Sequence, residues 1–297
     1  MKKTLAMMTA AMMVAGALAG CGSSSSTPAA TTAAATEAAT TAAATEAATT
    51  EAAGDTTAAA EGTVKTPSGK FTVGFDQEFP PMGFVGDDGE FTGFDLDLAK
   101  EVASRLGLEF VPQPINWDAK DMELDSGNID CIWNGFTMQG REDAYTWVGP
   151  YMANNQVFVV NADSDIASKA DLAGKAVEVQ KDSSGLAALQ DDAELSASFG
   201  SMTEVADYNT ALMDLESGAC DAVCMDSIVA GYQIKSSGKD MKILDDTLSA
   251  EEYGIGFKKG EDELAKAVYD TLMEMKDDGT VAKISNDWFG SDVFTLK

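Results

Sequence analysis

Histidine is missing from this 297-residue chain, and cysteine and arginine are scarce. Without histidine, neither a Ser-His or Cys-His nucleophilic pair nor a histidine-ligated metal site can form. After Cys21 the only cysteines are Cys131, Cys220 and Cys224. Cys220 and Cys224 lie on one predicted strand about 13 Å apart, which is too far for a disulfide. We therefore expect three unpaired and largely buried thiols, and neither a metal nor a cofactor.

Positive charge is also in short supply. Lysine and arginine together number 20 against 49 aspartates and glutamates, which gives a formal net charge of −29. A chain this acidic repels the phosphates of nucleic acids and the headgroups of anionic lipids. The charge therefore excludes a nucleic-acid partner and direct binding to an anionic membrane surface, and it favours solubility.

The N-terminal segment has the features of a targeting signal. Lys2 and Lys3 precede an apolar run from Leu5 to Leu18, which is too short to span a bilayer. Leu18-Ala19-Gly20-Cys21 resembles a bacterial lipobox, in which the cysteine becomes the lipid-bearing first residue after cleavage. We expect a signal peptide at 1–20 and a lipid anchor at Cys21 on the outer face of the cytoplasmic membrane. An ordinary secretory signal is the alternative.

Residues 21–69 have low complexity and almost no large apolar side chains. The segment TTAAATEAA occurs at 31–39 and again, unchanged, at 40–48. Such a composition cannot bury enough apolar surface to offset the entropy lost on ordering. We therefore predict a disordered tether, which as a flexible coil has a typical reach of about 35–42 Å.

The remaining residues, 70–297, alternate predicted strands with predicted helices and contain an internal repeat. Met122 to Asn134 reads MELDSGNIDCIWN, and Met213 to Met225 reads MDLESGACDAVCM. Each copy ends a helix with Leu-acid-Ser-Gly and enters an apolar strand containing one aspartate, Asp130 or Asp221. The alternation predicts an α/β fold with mostly parallel strands. The repeat predicts two lobes of similar construction.

The connections between these lobes follow from two apolar strands that bracket the second copy. We assign Gln156–Val160 and Gly254–Phe257 as crossover strands, so that the last two predicted helices return to the first lobe. Lobe 1 then comprises 70–159 and 254–297, and lobe 2 comprises 160–253. Ligands of open α/β sheets bind beyond the carboxyl ends of the strands. We therefore expect a ligand cleft between the lobes and a two-strand hinge.

Several segments in order resemble one known family. They are GFDLDLAKEVASRLG, LDSGNIDCIWNGFTMQGRED, VEVQKDSSG, DAVCMDSIVAGY and YGIGFKKG, followed by DGTVAKISNDWFG. Over roughly residues 70–290 the chain resembles the polar amino-acid-binding proteins of ABC importers, the solute-binding group of histidine-, lysine/arginine/ornithine- and glutamine-binding proteins. The resemblance implies a periplasmic-binding-protein-like fold and capture of a free amino acid by lobe closure.

A free amino acid carries a carboxylate and an ammonium, and each needs a charged partner once it leaves water. Arg141 follows the first repeated strand, and its planar guanidinium suits a carboxylate. Asp226 ends the second repeated strand, opposite Gly135 in the repeat. The resemblance assigns Arg141 to the ligand carboxylate and Asp226 to the ligand amine. A surface arginine and a solvated loop aspartate are the alternatives.

The resemblance implies further contacts around these two charges. Thr137, Ser183 and Ser184 are assigned to the ligand carboxylate, and Gly135 offers backbone groups at the amine end. Ser183 and Ser184 precede a predicted helix, so an ordinary N-cap is the alternative. The predicted pocket for the ligand side chain is formed by Phe79, Trp117, Asn134 and Asp76.

We therefore expect a monomeric, extracytoplasmic protein that binds a polar or cationic L-amino acid and delivers it to ABC permease subunits. The membrane is reached only through the lipid. An enzyme is the main alternative, because the same fold hosts dehydratases and cell-wall lyases. Asp76 and Glu78 are acids near the predicted cleft, but no histidine or lysine partner is evident nearby. A sensor or adhesin is a further alternative.

Overall fold

A computed structural model describes Thr66 and residues 68–297. The predicted signal segment, Cys21 and most of the predicted tether lie outside the described residues. The described strands are β1 (Lys70–Phe75), β2 (Glu78–Phe79), β3 (Gly83–Val85), β4 (Phe91–Thr92), β5 (Glu109–Pro114), β6 (Cys131–Thr137), β7 (Tyr145–Asn161), β8 (Ala176–Gln180), β9 (Ser201–Val205), β10 (Ala222–Asp226) and β11 (Met241–Lys258).

Helices cover both faces of the sheet. They are α1 (Phe94–Leu106), α2 (Lys120–Ser126), α3 (Ser184–Asp191), α4 (Ala193–Ser198), α5 (Tyr208–Ser217), α6 (Ser227–Ser237), α7 (Asp262–Asp277) and α8 (Thr280–Phe289), with short 3-10 turns at Trp117–Ala119 and Lys169–Leu172. α1 buries Leu98 and Val102, one turn apart, and ends at Gly107 in the left-handed region. Its amphipathic spacing and glycine stop agree with the helix predicted from the sequence.

The large sheet has the strand order β5-β1-β6-β11-β7-β10-β8-β9. β5, β1 and β6 run parallel and form one lobe, and β10, β8 and β9 run parallel and form the other. β7 and β11 lie between them, antiparallel to each other and to their outer neighbours. Two long central strands therefore connect two α/β lobes, as the predicted fold class required. The exact lobe boundaries stay a prediction.

The repeated unit builds the same structure in each lobe. α2 ends at Gly127 and α5 at Gly218, both with a positive φ. The Asp130 carboxylate accepts a hydrogen bond of 2.6 Å from the Thr72 N–H of β1. In the other lobe, the Asp221 carboxylate accepts one of 2.8 Å from the Ala176 N–H of β8. The repeated aspartate thus fastens each repeated strand to its parallel neighbour.

The last two helices pack on lobe 1. Leu264, Val268 and Leu272 of α7 are buried in one apolar cluster with Val102 of α1. Phe289 at the end of α8 contacts Phe94 edge to face, with the ring centroids 5.1 Å apart. Lobe 1 is therefore formed from two separate segments of the chain.

The structure differs from the sequence prediction mainly in its strands. β7 and β11 are 17 and 18 residues long, much longer than the predicted crossover strands. Residues 78–92, after β1, contain a small antiparallel sheet of β2, β3 and β4 that was not predicted from the sequence. Cys131, Cys220 and Cys224 are buried, free thiols. Within the described part of the chain, no helix is both long and apolar enough to cross a bilayer.

Candidate functional site

A small cavity lies between the lobes, where β6 and β10 end. Its free volume is only about 10 Å³, so the walls lie almost in contact. Its walls come from both lobes, and the lining residues are Phe79, Trp117, Gly135, Thr137, Arg141, Gln180, Ser183, Ser184 and Asp226. Every one of these except Gln180 was predicted from the sequence. Asn134 and Asp76, which were predicted for the side-chain pocket, lie behind this wall.

Gly135 forms part of the lobe 1 wall and has a positive φ of 54°. A Cβ atom at this position would lie 2.9 Å from Cε1 of Phe79, so the wall has room only for glycine. The Gly135 N–H donates a 2.7 Å hydrogen bond to the carboxylate of Asp95, which also accepts one from the Tyr151 hydroxyl. Burial raises the pKa of Asp95 to about 7. Asp95, absent from the predicted site, therefore fixes the backbone at Gly135.

Arg141 reaches the cavity from the loop after β6. Its guanidinium lies over the Phe136 ring, 5.2 Å from the ring centroid. It donates hydrogen bonds of 3.2 Å to the carbonyls of Thr137 and Asp182. No carboxylate among the described residues forms an ion pair with it. Since a guanidinium has five N–H donors, Arg141 keeps donors for an anion.

The facing wall in lobe 2 is the N-terminus of α3. Ser183 is the N-cap residue: its hydroxyl accepts from the Leu186 N–H at 3.0 Å and donates to the Gln180 carbonyl at 2.8 Å. This hydroxyl is therefore occupied by the N-cap. The Ser184 hydroxyl accepts hydrogen bonds from the Thr137 hydroxyl at 3.2 Å and from the Gln156 amide at 3.0 Å. The N-terminal peptide groups of a helix favour an anion nearby.

Asp226 ends β10 and exposes only 3% of its surface. Its carboxylate accepts hydrogen bonds from the Asn154 amide at 2.7 Å, the Tyr253 hydroxyl at 2.7 Å and the Tyr208 hydroxyl at 3.1 Å. Burial, followed by the neighbouring carboxylate of Glu251, raises the pKa of Asp226 to about 8. All of these donors are neutral and none balances the negative charge of an ionised Asp226, so this carboxylate can pair with a cationic group of a ligand.

Asp76 and Asn134 lie behind the cavity wall and support it through hydrogen bonds. Asp76 accepts a 2.6 Å hydrogen bond from the amide of Gln180, which does line the cavity. Burial raises the pKa of Asp76 to about 6. The Asn134 side-chain carbonyl accepts a 3.0 Å hydrogen bond from the Asp76 N–H. The two residues thus position the end of β1 and Gln180.

The lobes are closed on each other at this cavity. Lys120 of α2 forms an ion pair with Asp182 across the cleft, and its ammonium lies 5.2 Å from the centroid of the Trp117 ring. Lys120 is only 1% exposed. Asp182 is the one described non-glycine residue with a positive φ, 53°. With the contacts of Gln180 and of Ser184 described above, this ion pair connects the two rims of the cleft.

Comparison with known proteins places this geometry in a family. Residues 71–291 match the family model of the bacterial extracellular solute-binding proteins, family 3. The chain belongs to this family. The L-cystine-binding protein TcyJ of Escherichia coli strain K12 is 32% identical over 231 residues, which cover 76% of this chain and 84% of TcyJ. The arginine-binding extracellular protein ArtP of Bacillus subtilis strain 168 is 30% identical over 241 residues, 78% of this chain and 92% of ArtP.

A solved structure of a family member agrees with the fold. The histidine-bound substrate-binding protein of an ABC uptake transporter from Streptococcus pneumoniae has a TM-score of 0.74 and 34% sequence identity, and covers 77% of this chain and 95% of that one. The two-lobe fold predicted from the sequence is therefore confirmed. The relatives are named as binding proteins, which supports the binding interpretation over the enzyme alternative.

Besides Asp95, three residues at or near the cavity were not predicted from the sequence. Gln180 opens the polar run before α3, and its place at the end of β8 was the available signal. Glu251 lies on the long strand β11, outside the shorter strand that was predicted. Lys120 reads as an ordinary surface lysine, because no sequence pattern indicates that α2 lies at the rim of the cleft.

The Lys120–Asp182 ion pair gives a first prediction. We expect Lys120→Met to keep the fold, since an apolar side chain replaces a buried cation without leaving a charge unpaired inside the protein. Because the closed form loses a contact between the rims, a larger fraction of the ligand-free molecules should be open. The dissociation constant of the ligand should then rise about threefold to tenfold. Small-angle X-ray scattering of the ligand-free protein and calorimetric titration measure the two effects.

Lys239→Met is the matched control for this prediction. Lys239 pairs with Glu216 at 3.1 Å within lobe 2, away from the cleft. This substitution should change neither the radius of gyration nor the affinity. If Lys120→Met behaves in the same way, the ion pair across the cleft has no part in closure.

Proposed function

We propose that this protein is the extracytoplasmic substrate-binding component of an amino-acid ABC importer, which captures a polar L-amino acid by closure of its lobes. The observation that carries the proposal is the position of two opposite charges on one cavity. Arg141 of lobe 1 and Asp226 of lobe 2 both line it. A zwitterion between them satisfies both charges only when the lobes are closed. Ligand binding is thereby coupled to closure.

The proposed roles follow from the contacts. The ligand carboxylate is held by Arg141, with Thr137, Ser184 and the N-terminal peptide groups of α3 around it. Ser183 contributes through its backbone position, because its hydroxyl already caps the helix. The ammonium pairs with Asp226 beside the backbone of Gly135.

The ligand side chain points toward an aromatic and amide wall. Phe79 and Trp117 supply apolar surface, and Gln180 supplies an amide held by Asp76. Asn134 supports the same strand end from behind. This mixture suits a polar or cationic side chain, and the relatives are named for cystine, arginine and histidine.

Isothermal titration calorimetry with the purified protein tests the function. After unfolding, dialysis and refolding to remove bound molecules, the protein is titrated with each of the twenty L-amino acids and with L-cystine. A dissociation constant near micromolar, about −8 kcal/mol, is expected for one or a few polar amino acids. The matching amide, which lacks the carboxylate, should bind at least about 100-fold more weakly. Absence of binding by all twenty and by L-cystine would refute the proposal, and a changed molecule recovered after incubation would favour the enzyme alternative.

The cellular arrangement completes the proposal. Residues 1–20 are the signal peptide, Cys21 carries the lipid, and 21–69 tether lobe 1 (70–159 and 254–297) and lobe 2 (160–253) above the outer face of the cytoplasmic membrane. The protein works as a monomer and delivers the amino acid to the permease subunits. Mass spectrometry of the detergent-extracted N-terminal peptide should show a diacylglyceryl group on Cys21. An unmodified terminus generated by cleavage at another site would contradict the anchor.

A further inference from the structure

A second buried carboxylate lies beside Asp226, on the central strand β11. Glu251 is only 4% exposed. One amide joins the two acids: the Asn154 side-chain nitrogen donates at 2.7 Å to Asp226 and at 2.6 Å to Glu251. The Gln156 amide donates to the same oxygen of Glu251 at 2.9 Å. The two acids therefore face each other across β7, which lies between β10 and β11 and supplies Asn154 and Gln156.

This pair has only neutral hydrogen-bond donors among the described residues. Its remaining partners are the hydroxyls of Tyr208 and Tyr253. No described cation forms an ion pair with either acid: Arg141 bonds to two carbonyls, and Lys120 pairs with Asp182. Two ionised carboxylates this close, without a cation and away from water, repel each other strongly.

None of the titratable side chains around the two acids supplies a positive charge that would relieve this repulsion. Burial raises the pKa values of Tyr208 and Tyr253 well above the usual range, so these hydroxyls stay neutral donors. Burial also raises the pKa of the Cys224 thiol on β10. Asp76, on the other side of the cleft, is a further acid rather than a compensating charge. A proton on Asp226, whose pKa is raised to about 8, is the remaining source of relief.

We propose, building on the amino-acid-binding function, that Asp226 and Glu251 form one ammonium site in which the Asp226 carboxyl holds a proton before binding and releases it when the ammonium of the ligand enters. In this exchange the carboxyl O–H bond of Asp226 breaks and the proton passes to the solvent. The ligand ammonium, held at Asp226, takes its place as the positive charge beside the two acids. Glu251 is thus a positioning residue that acts through Asn154 and Asp226.

The exchange makes affinity depend on pH with a defined sign. A ligand that binds only after a proton leaves binds more tightly as the pH rises. The effect is present below the raised pKa of Asp226 in the ligand-free protein, about 8, and levels off above this pH. We expect the dissociation constant for an amino acid with an untitrating side chain to fall at least about fivefold between pH 6 and pH 8.

The first test needs no ligand. Infrared spectra of the ligand-free protein at pH 7 should contain a protonated carboxyl band that is reduced in Glu251→Gln and in Asp226→Asn. Part of the band stays in both, because Asp95 is also buried with a raised pKa. Glu178→Gln is the matched control: Glu178 is a buried acid of β8 that lies outside the cavity lining. The proposal is overturned if neither Glu251→Gln nor Asp226→Asn reduces the band, or if Glu178→Gln reduces it as much as these two variants do.

The second test measures the exchange itself. L-Arginine, L-glutamine and L-cystine are titrated at pH 7 in phosphate and in Tris, whose ionisation enthalpies differ, so that the heats report proton release. Any of the three that binds the native protein should release up to about one proton, and less than half as much from Glu251→Gln. The glutamine still accepts hydrogen bonds from Asn154 and Gln156, so the packing survives.

The outcomes separate this inference from the proposed function. Binding heat with no proton release, or with equal release from Glu251→Gln, overturns the exchange and leaves amino-acid binding intact. Absence of binding by all twenty amino acids and by L-cystine overturns the function and the exchange together, while the infrared result still decides whether Asp226 carries a proton.

Discussion

Arg141→Ala should weaken amino-acid binding by at least about 100-fold, one of the two largest effects that we expect from a single substitution in the cavity. Removing one partner of a buried charge pair costs about 2–5 kcal/mol, because the other charge is left without compensation. Here the group left unpaired is the ligand carboxylate, facing the N-terminus of α3. Titration calorimetry measures the affinity, and circular dichroism verifies that the variant is folded.

Arg105→Ala is the matched control, since Arg105 is the only other arginine in the chain. Arg105 lies on α1 and pairs with Glu101 at 2.8 Å and Asp278 at 2.6 Å, away from the cleft. Partly exposed pairs of this kind contribute about 1 kcal/mol or less each. We therefore expect a small loss of stability with unchanged affinity. An Arg141→Ala protein that binds within about threefold of the native protein would remove the guanidinium from the site.

Asp226→Asn should have opposite effects on binding and on stability. The amide keeps a hydrogen-bond acceptor for Asn154 and Tyr253 but has no charge for the ligand ammonium, so binding falls by about 100-fold or more. The ligand-free protein should become more stable, since one of two adjacent buried acids is gone. Calorimetric titration and urea unfolding without ligand measure the two effects.

The gain in stability should grow with pH. The folded state raises the pKa of Asp226 from 3.8 to about 8, so folding takes up a proton between these values. The native protein therefore loses stability as the pH rises from about 4 to about 8, and Asp226→Asn removes that loss. The difference between variant and native protein should be larger at pH 8 than at pH 5, by at most a few kcal/mol.

Asp221→Asn is the control for this substitution, because it makes the same chemical change near the start of β10. Asp221 lies at the exposed surface and accepts from the Ala176 N–H, outside the cavity. It should change affinity little and should not stabilise the protein. A stability gain equal to that of Asp226→Asn, or normal binding by Asp226→Asn, would contradict the assignment of the buried acid.

The repeat made the site predictable to a large extent. It placed Arg141 after one repeated strand and Asp226 at the end of the other, and both line the cavity in the structure. Ser183 was also predicted to lie at the site, with an ordinary N-cap as the alternative. Both are true of its position, because its hydroxyl caps α3 and the residue lines the cavity. Whether these residues bind an amino acid in the proposed manner stays a prediction.

Other features depended on tertiary pairing that short patterns do not reveal. Asn134 was expected in the cleft from strand alternation, but the small sheet of β2, β3 and β4 covers it, and a Cβ at Gly83 of β3 would lie 2.8 Å from its amide nitrogen. Strands of two or three residues leave almost no periodic signal.

The length of β11 was missed for a related reason. Its first twelve residues, MKILDDTLSAEE, include charged residues that are typical of a loop, yet they form a strand because β7 pairs with them along the centre of the sheet. Pairing of this kind overrides the local preference of the sequence. Glu251 lies among these twelve residues, so the acid near Asp226 could be located only from the structure.

The return of α7 and α8 to lobe 1 sets an order of assembly during secretion. A polypeptide that crosses a membrane with its N-terminus first delivers β8, β9 and β10 together with α3 to α6 as one uninterrupted stretch. Lobe 1 still lacks α7 and α8 at that moment, and the part of α1 that packs against these two helices is uncovered. Incomplete folding units with exposed apolar surface are prone to aggregate. We therefore expect that a chain truncated after β11 leaves this part of α1 exposed and aggregates more readily than the full chain.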